Sequence, residues 1–400
     1  MVKYKPLPKI HYQDITDYND IVQSRYNGDD TLHLDFIIKD YPAFVCQNAE
    51  LFSLLLRIHK TDKNIRQLRY DLPGVALKQF TRKCLVDELV LTNDIEGINS
   101  TRREINEALD NIVTSKTKKR FDGLVRQYVM LHSNSKLELK TCQDIRKIYD
   151  DLVLQEVIEE DPADAPDGQI FRKESVSIDS PSQKEIHRGI MPENAIIVNM
   201  NKALSFLNAP EYDLLVRISV FHYFLGYIHP FYNGNGRLSR FISSYMLSQE
   251  LDPLISYRLS YTIKANIKQY YDAFKICNDS KSRGDLTPFV LSFLEIIAES
   301  MEQLEKALLR RSIDLFNCMD YAQKDNVLSD KKLIELVYLL VQAGLFSEYG
   351  ISTQELCSNS SMSYTTLKKR FAEIEKQKLL TSQKIGKERY YKLDVSKILK

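Results

Sequence analysis

Long apolar runs and paired cysteines are both missing from this chain of 400 residues. No run approaches the roughly 18 apolar residues of a membrane-spanning helix, so the sequence argues against a membrane protein. The first residues lack the apolar core of a signal peptide. The six cysteines are scattered, and none has the Cys-x-x-Cys spacing of a zinc site. We therefore expect a cytoplasmic protein with reduced thiols.

Internal repeats and low-complexity tracts are also missing, as is typical of a globular protein. Apolar residues make up 44% and charged residues 27% of the chain, ordinary values for soluble domains. This length is enough for two or three domains. We expect a helical N-terminal region at 1–77, a helical core at 78–300, a linker helix at 301–330 and a small basic module at 331–400.

Residues 229–240 organise the chain, because they join two apolar helical patterns through a glycine-rich loop. They run His-Pro-Phe-Tyr-Asn-Gly-Asn-Gly-Arg-Leu-Ser-Arg. The proline ends the preceding helix, and Gly234, Asn235 and Gly236 tolerate a positive φ. The N–H groups of the loop and the start of the second helix then point at one spot, which is the geometry of an anion site.

Three side chains flank this loop. Arg237 and Arg240 lie in the first turn of the second helix, where cations oppose the helix dipole and add little stability. Together they make a good phosphate clamp. His229 lies at the rim, where a general base is useful. The alternative is a glycine turn between two core helices with two solvated arginines, and the glycine spacing alone does not decide between them.

The whole string closely resembles the motif of the Fic (filamentation induced by cAMP) family, His-x-Phe-x-acidic-Gly-Asn-Gly-Arg-x-x-Arg. Every defined position matches except the acidic one, which is Asn233 here. The resemblance extends over about residues 78–300. It implies a mainly α fold, a Fic-type helical core with a short β-hairpin flap. It also implies transfer of a nucleoside monophosphate, usually AMP from ATP, to a Ser, Thr or Tyr hydroxyl of a target protein.

The resemblance also implies roles for single residues. His229 takes the proton from the target hydroxyl, and a neutral imidazole near its reference pKa of about 6.5 suits that task. Phe231 points into the core and fixes the loop. The nucleotide-binding residues are Gly234, Asn235 and Gly236 for the α- and β-phosphates, and Arg237 and Arg240 for the β- and γ-phosphates.

The chain departs from the family at the residue that holds Mg²⁺ between the phosphates. Asn233 offers one carbonyl oxygen without a charge, whereas Mg²⁺ prefers carboxylate and phosphate oxygens. We therefore expect Asn233 to be a poor metal ligand and the affinity for Mg²⁺ to be weakened. Neutral evolutionary drift, a preference for a different metal ion and an inactivated site are all compatible with this substitution.

A second motif precedes the glycine-rich loop. The string from Thr92 to Gly97, Thr-Asn-Asp-Ile-Glu-Gly, resembles the inhibitory motif of the family, Ser/Thr-x-x-x-Glu-Gly/Asn. Thr92 and Glu96 are i,i+4 neighbours at the end of a helix expected at about residues 78–97. By resemblance, Glu96 pairs with Arg240, occupies the γ-phosphate position and holds ATP in an unproductive pose. The alternative is a solvated glutamate at a helix end.

Two other parts of the core carry weaker expectations about ligands. Residues 171–178 partly alternate in polarity, which favours a short strand. By resemblance to the family, residues 171–192 hold a β-hairpin flap that docks the target segment by strand addition. An ordinary surface loop is the alternative. Tyr270 and Tyr271 could stack on adenine, although tyrosines at helical spacing more often belong to a core.

Residues 331–400 have the element pattern of a winged helix-turn-helix. They contain 13 Lys and Arg against 7 Asp and Glu, a net charge of +6, whereas the whole chain carries +1. Concentrated basic charge favours binding to DNA. The candidate residues for that contact are Tyr364, Lys368, Lys369 and Arg370. A module that only packs against the enzyme, or binds a protein, is an equally good interpretation.

The motifs and their resemblance to the family therefore predict an autoinhibited protein adenylyltransferase that uses ATP and Mg²⁺. Its expected substrates are a target protein and its own chain. Two alternatives stay open. Glu96 could position water for the removal of AMP from a target. The chain could instead be a DNA-binding regulator whose Fic domain senses nucleotide and catalyses weakly, and Asn233 is the residue that favours this reading.

Overall fold

The computed structural model describes residues 3–13, 16–114, 120–131, 136–179, 185–324, 330–385 and 388–399. Helices dominate these residues, so the expected mainly α fold is confirmed. The chain divides into two compact units. The first comprises Met1–Asp62 and Val86–Met301, and the second comprises Lys63–Leu85 and Glu302–Lys400. No helix among the described residues is long and apolar enough to cross a membrane.

The helices come in chain order with short connections. The first six are α1 (Leu7–Gln13), α2 (Tyr18–Tyr26), α3 (Ala49–Asp71), α4 (Gly74–Ile95), α5 (Arg102–Thr114) and α6 (Asp122–Met130). The next eight are α7 (Cys142–Tyr149), α8 (Gln155–Glu160), α9 (Glu193–Leu207), α10 (Leu214–Ile228), α11 (Asn235–Glu250), α12 (Leu259–Ala265), α13 (Ile267–Cys277) and α14 (Thr287–Lys324). A π-helical turn, Asp150–Leu154, joins α7 to α8. Short 3₁₀ turns lie at Pro162–Asp164, Pro253–Tyr257 and Ser280–Ser282.

A β-hairpin in the N-terminal region corrects the expectation of a helical region at residues 1–77. Strands β1 (Thr31–Ile38) and β2 (Tyr41–Cys46) pair in antiparallel fashion. Buried and exposed residues alternate along β1, which is the period of a half-buried strand. Phe36 on the buried face stacks on Phe224 of α10, with ring centroids 3.9 Å apart. The alternation Leu-His-Leu-Asp-Phe carried this signal in the sequence.

Helices α10 and α11 form the centre of the first unit. Twelve of the 15 residues of α10 are buried, so this helix is apolar on nearly every side. Asp213 caps its start by accepting a hydrogen bond from the N–H of Leu215 at 2.8 Å. A buried contact of 2.8 Å between His222 Nδ1 and Ser243 Oγ joins α10 to α11. The glycine-rich loop is therefore held between two fixed helices.

Two expected elements differ in extent from the structure. The helix expected at about residues 78–97 is α4, and Gly97 follows it with a φ of 75°, the left-handed conformation common after a helix. The short strand expected within residues 171–178 forms later, as β3 (Ser177–Asp179). It pairs with β4 (Glu185–Arg188) as a small antiparallel hairpin. This hairpin corresponds to the flap.

The second unit contains three helices and a small sheet. These elements are α15 (Lys331–Phe346), β5 (Ile351–Ser352), α16 (Thr353–Ser358), α17 (Tyr364–Lys376), β6 (Leu380–Ile385) and β7 (Glu388–Leu393). The sheet has the order β5-β7-β6 and is antiparallel. Ser352 and Ser363 cap α16 and α17 with their side chains. Three helices followed by a hairpin are the element order of a winged helix-turn-helix.

The second unit also includes the first half of α4. The buried side chain of Gln342 on α15 accepts a hydrogen bond from the N–H of Ala76 at 3.1 Å. Phe346 packs edge-on against Phe80, with ring centroids 6.3 Å apart. The first half of α4, the helix that precedes Glu96, is therefore packed against α15.

Candidate functional site

His229 ends α10 in the left-handed region, with a φ of 53° and a ψ of 64°. Its Nδ1 lies 3.3 Å from the carbonyl oxygen of Gly226. Because a carbonyl only accepts hydrogen bonds, this contact places the proton on Nδ1 and leaves Nε2 as an acceptor. Burial, with a smaller contribution from the nearby charge of Arg172, lowers the pKa of His229 to about 4. The expected pKa near 6.5 is therefore corrected downward, and the imidazole is neutral at neutral pH.

Arg172 holds the backbone of His229 and was missed by the sequence analysis. Its side chain is fully buried. Nε donates to the carbonyl of His229 and Nη2 to that of Ile190, each at 2.9 Å, and Nη1 donates to the carbonyl of Glu174. A Cβ on Gly189 would collide with Nη2, so this arginine needs a glycine there. Arg172 thereby links the backbone of His229 to the segments that precede and follow the flap.

The side chain of Asn235 closes the glycine-rich loop. Oδ1 accepts from the N–H of Phe231 at 3.0 Å, and Nδ2 donates to the carbonyl of Phe231 at 2.8 Å. Phe231 is fully buried and stacks on Tyr149, with ring centroids 3.6 Å apart. Gly234 precedes α11 with a φ of 79°, in the region that favours glycine. The N–H groups of the first turn of α11 have no acceptor within the helix, so they can bind an anion.

Arg240 is bound by both residues of the second motif. Its Nη1 donates to Glu96 Oε1 at 2.9 Å, its Nε to Thr92 Oγ1 at 2.8 Å, and its Nη2 to the carbonyl of Thr92 at 2.9 Å. The Arg240 side chain is 1% exposed, whereas that of Glu96 is 22% exposed. Burial opposes the positive charge, but Glu96 raises the pKa of Arg240 overall. Every nitrogen of this guanidinium is therefore engaged.

The Glu96 carboxylate also lies directly over the loop. A Cβ built on Gly236 would collide with Glu96 Oε1 and would crowd Arg240 Nη1 at 2.9 Å. Gly236 is one of the residues whose N–H group opens α11. The negative charge of Glu96 therefore lies at the place where the loop and the helix start favour a phosphate.

Arg237 is paired with Glu156 of α8, a second residue that the sequence analysis missed. Nη1 donates to Glu156 Oε2 at 2.9 Å, and the two side chains are 0% and 8% exposed. Burial raises the pKa of Glu156 to about 7, against the lowering effect of Arg237. Nε and Nη2 of Arg237 have no hydrogen-bond partner among the described residues. Buried donors of this kind are costly unless a ligand accepts from them.

Asn233, the departure from the motif, contacts a carboxylate. Its Nδ2 lies 3.3 Å from Asp164 Oδ2, and its Oδ1 accepts from the N–H of Gly234 at 2.6 Å. The hydroxyl of Tyr149 donates to its carbonyl oxygen at 3.1 Å. Among the described residues, no group of three or more His, Cys, Asp or Glu side chains could hold a metal by itself. A cation at this loop would therefore need oxygens from a bound ligand as well.

The two tyrosines considered for adenine stacking have different environments. Tyr270 is buried, and its hydroxyl lies 2.7 Å from His222 Nε2, so it is a core residue of the first unit. Tyr271 is 49% exposed and remains available to a ligand. The target-docking region expected at 171–192 includes 180–184, which lie outside the described residues.

Three of the four residues expected to contact DNA are exposed on α17, namely Tyr364, Lys368 and Lys369. Arg370 differs because Asp330 and Glu373 both bind its guanidinium, the latter at 2.8 Å. Those two carboxylates raise the pKa of Arg370, Glu373 through the larger effect. Arg370 is therefore a structural residue of this unit, and the exposed positive charge of α17 comes from its two lysines.

Three solved structures are among those that resemble this chain. A crystal structure of a Fic family protein from Desulfovibrio desulfuricans G20 has a TM-score of 0.50 at 17% identity, covering 86% of this chain and 96% of that one. Fic-1 from C. elegans has a TM-score of 0.47 at 18% identity, covering 76% and 81%. A Fic domain containing signaling protein from Bacteroides thetaiotaomicron VPI-5482 has a TM-score of 0.45 at 17% identity, covering 63% and 96%.

At these identities such a likeness bears on the fold alone, and only the first of the three structures reaches a TM-score of 0.50. The family assignment comes from the Fic/DOC family model, which matches residues 140–247. The matched segment contains His229, the glycine-rich loop and both arginines of the site. Residues 140–247, which carry the candidate site, therefore match the Fic/DOC family.

Proposed function

We propose that this protein is an autoinhibited protein adenylyltransferase, which moves AMP from ATP to a hydroxyl group of a target protein. Members of the Fic family commonly transfer AMP or a related nucleoside monophosphate, and they generally use ATP and a divalent metal. In the proposed reaction, the hydroxyl oxygen attacks the α-phosphorus and pyrophosphate leaves. The hydroxyl proton passes to Nε2 of His229.

The state of His229 supports its role as the general base. The lowered pKa keeps the ring neutral, and the contact between Nδ1 and Gly226 leaves Nε2 able to accept a proton. Arg172 fixes the carbonyl of the same residue at 2.9 Å, which restricts where the ring can lie. Restricting a reacting group in this way lowers the entropic part of the barrier.

The start of α11 supports binding of the triphosphate. The loop and the first helical turn supply N–H groups, and the unpartnered Nε and Nη2 of Arg237 are further donors. Arg240 would add a charge-assisted contact to the terminal phosphate once Glu96 leaves it. Tyr271, exposed on α13, is the candidate for contact with the base.

A divalent cation fits this loop in part. Asn233 Oδ1 is already bonded to the N–H of Gly234, and the carboxylate of Asp164 lies 3.3 Å from Asn233 Nδ2. These two residues, with phosphate oxygens, would hold the ion. When bound, the ion would neutralise negative charge on the phosphates.

The observation that carries the proposal is the position of Glu96. Arg240 Nη1 lies 2.9 Å from the carboxylate of Glu96, which directly follows α4, and that carboxylate covers the glycine-rich loop over Gly236. An ordinary solvated glutamate would not be held on a buried arginine in this way. Glu96 fits a regulatory residue that prevents the productive pose of ATP.

Transfer of label from ATP tests the proposed reaction class. The full chain with Glu96→Gly should become labelled, or label a target, from [α-³²P]ATP and not from [γ-³²P]ATP, because the transferred group is AMP. Label from the γ position would indicate a kinase, and no label from either position in the folded variant would contradict the proposal.

The lowered pKa of His229 predicts an unusual pH dependence. Its imidazole must be neutral to accept a proton, and it stays neutral at every pH above its pKa of about 4. We expect kcat/KM, which reports the free enzyme, to stay nearly constant from about pH 7 down to about pH 5. A histidine with the reference pKa of about 6.5 would lose most of its rate over that range.

Variants of Arg172 provide the control for this pH profile. Arg172→Lys keeps the positive charge that lowers the pKa of His229, whereas Arg172→Met removes it. Only Arg172→Met should raise the pH below which kcat/KM falls. A fall of kcat/KM centred near pH 6.5 in the parent protein would contradict the environment assigned to His229.

We also propose DNA as a second partner, bound through residues 331–400. The supporting observation is the pair of exposed lysines beside an exposed tyrosine on α17, the second helix of the helix-turn-helix. Lys368 Nζ lies 4.9 Å from the centre of the Tyr364 ring. Basic and aromatic groups on such a helix suit the phosphates and bases of a major groove.

Removal of the two lysines tests this surface. The double variant Lys368→Ala/Lys369→Ala should bind DNA more weakly and reduce the slope of log affinity against log salt by about 2, one unit for each lost phosphate contact. The control removes Lys392 and Lys397, whose amino groups already bind backbone carbonyls of the unit. An equal effect of both pairs, or no gel shift of the parent at low salt, would contradict DNA binding by α17.

A further inference from the structure

We propose that Asp164 supplies the carboxylate of a divalent-cation site at the glycine-rich loop. It would replace the acidic residue that the motif has at the position of Asn233. Asp164 lies outside the motif, in the acidic segment between α8 and the flap. The inference rests on the proposed function, because the cation would be bound together with the phosphates of ATP.

The distance between Asp164 and Asn233 carries the inference. Asp164 Oδ2 lies 3.3 Å from Asn233 Nδ2, and that nitrogen stands where an aspartate at residue 233 would have its second oxygen. Mg²⁺ binds oxygens at about 2.1 Å in octahedral geometry, so two neighbouring ligands are about 3 Å apart. Asp164 therefore lies within one coordination shell of the place that the motif assigns to its carboxylate.

The surroundings of Asp164 leave its carboxylate available. Within the part of the chain that the structure describes, its one hydrogen bond comes from the amide of Asn233, and no lysine or arginine forms an ion pair with it. The side chain is half-buried. A carboxylate in this setting has spare oxygen lone pairs, which a hard cation requires.

Local structure fixes Asp164 relative to the loop. It ends the 3₁₀ turn Pro162–Asp164, which Asp161 caps by accepting from the N–H of Ala163 at 2.9 Å. The preceding helix α8 is attached to the start of α11 by the pair of Glu156 and Arg237 at 2.9 Å. These contacts hold the donor in place before a ligand arrives, which favours binding.

The amide at residue 233 is the natural partner of a carboxylate at residue 164. Two carboxylates 3.3 Å apart would repel each other whenever the cation is absent. With Asn233, the site keeps one negative charge and gains a hydrogen bond that orients Asp164. The substitution in the motif therefore relocates the charged ligand and does not remove it.

The test measures how much a cation strengthens nucleotide binding. Calorimetry gives the Kd of the full chain for α,β-methylene ATP, which cannot transfer AMP, once with Mn²⁺ and once with EDTA. The ratio of the two constants is the gain from the cation. We expect Mn²⁺ to tighten binding to the parent protein, and Asp164→Asn to reduce that gain by about tenfold or more.

Returning the charge to the motif provides the decisive comparison. Asn233→Asp added to Asp164→Asn should restore the gain, since one carboxylate is again present. Asp161→Asn is the matched control, because it removes one charge from the same segment and keeps an oxygen for the cap; it should leave the gain unchanged. Thermal unfolding confirms that each variant is folded.

The outcomes separate this inference from the proposed function. An unchanged gain in Asp164→Asn, or an equal loss in Asp161→Asn, overturns the role of Asp164 while ATP binding stands. A parent protein whose nucleotide binding Mn²⁺ does not tighten also overturns it. A folded chain that binds no nucleotide with or without Mn²⁺ contradicts the proposed function, and the inference with it.

Discussion

Replacing His229 by alanine is expected to abolish transfer of AMP and to leave binding of ATP nearly intact. The imidazole lies at the rim of the loop, attached to α10, whereas the phosphate donors come from the start of α11. Loss of a general base typically costs about 10²–10⁴-fold in rate. Transfer of label and calorimetric binding of ATP, measured on the same preparation, separate the two effects.

A surface histidine controls for the substitution itself. His59 is exposed on α3, so His59→Ala should change neither transfer nor binding. The assignment of His229 would be wrong if its alanine variant were folded and lost ATP binding, since the residue would then belong to the nucleotide cradle. It would also be wrong if the variant kept the full rate of transfer.

Replacing Glu96 by glycine is expected to raise the rate of transfer by about tenfold or more. The change removes the carboxylate that lies over Gly236 and frees Nη1 of Arg240 for the γ-phosphate. ATP can then place its α-phosphorus in line for attack by the target hydroxyl. The gain comes from correct placement of the substrate, so ATP affinity should change less than the rate.

An acidic residue close to Glu96 in the chain provides the matched control. Asp94 lies in the last turn of α4, two residues before Glu96, which follows the helix, and forms an exposed ion pair with Lys264 at 2.8 Å. Asp94→Gly makes the same chemical change near the same helix end, away from the arginine of the motif. A rate increase in Asp94→Gly as large as that in Glu96→Gly would point to loosening of the helix end as the cause.

Local sequence patterns were sufficient for the parts of the site that lie close together in the chain. The glycines, the proline and the two apolar helices predict the bend at His229 and the open start of α11, because these depend on residues a few positions apart. The approach of Glu96 to Arg240 followed from the resemblance of two separate motifs to one family. Their spatial contact is the finding that periodicity alone could not supply.

Residues that act through distant partners were not predictable in the same way. Arg172 and Glu156 carry no motif, and their roles appear only when the fold buries them against His229 and Arg237. The lowered pKa of His229 likewise depends on burial, which sequence spacing does not give. Asn233 suggested a weakened metal site until the fold brought Asp164 to within 3.3 Å of it.

The hairpin of β1 and β2 was not predicted, for a different reason. The alternation of buried and exposed side chains along β1 was present in the sequence, yet the region was expected to be helical. Short alternating runs compete with helical periodicity, and only the pairing partner β2 decides between them. The error did not affect the site, because none of the residues assigned a role there lies in this hairpin.

The measurement that tests the central claim most directly is a double-mutant cycle on the rate of AMP transfer from [α-³²P]ATP. It compares the parent chain, Glu96→Gly, Arg240→Ala and the double variant. If Glu96 acts by holding Arg240, the gain from Glu96→Gly disappears when Arg240 is absent, and the two effects are not additive. Equal gains from Glu96→Gly with and without Arg240, or no gain in a folded protein that binds ATP, would contradict autoinhibition through this contact.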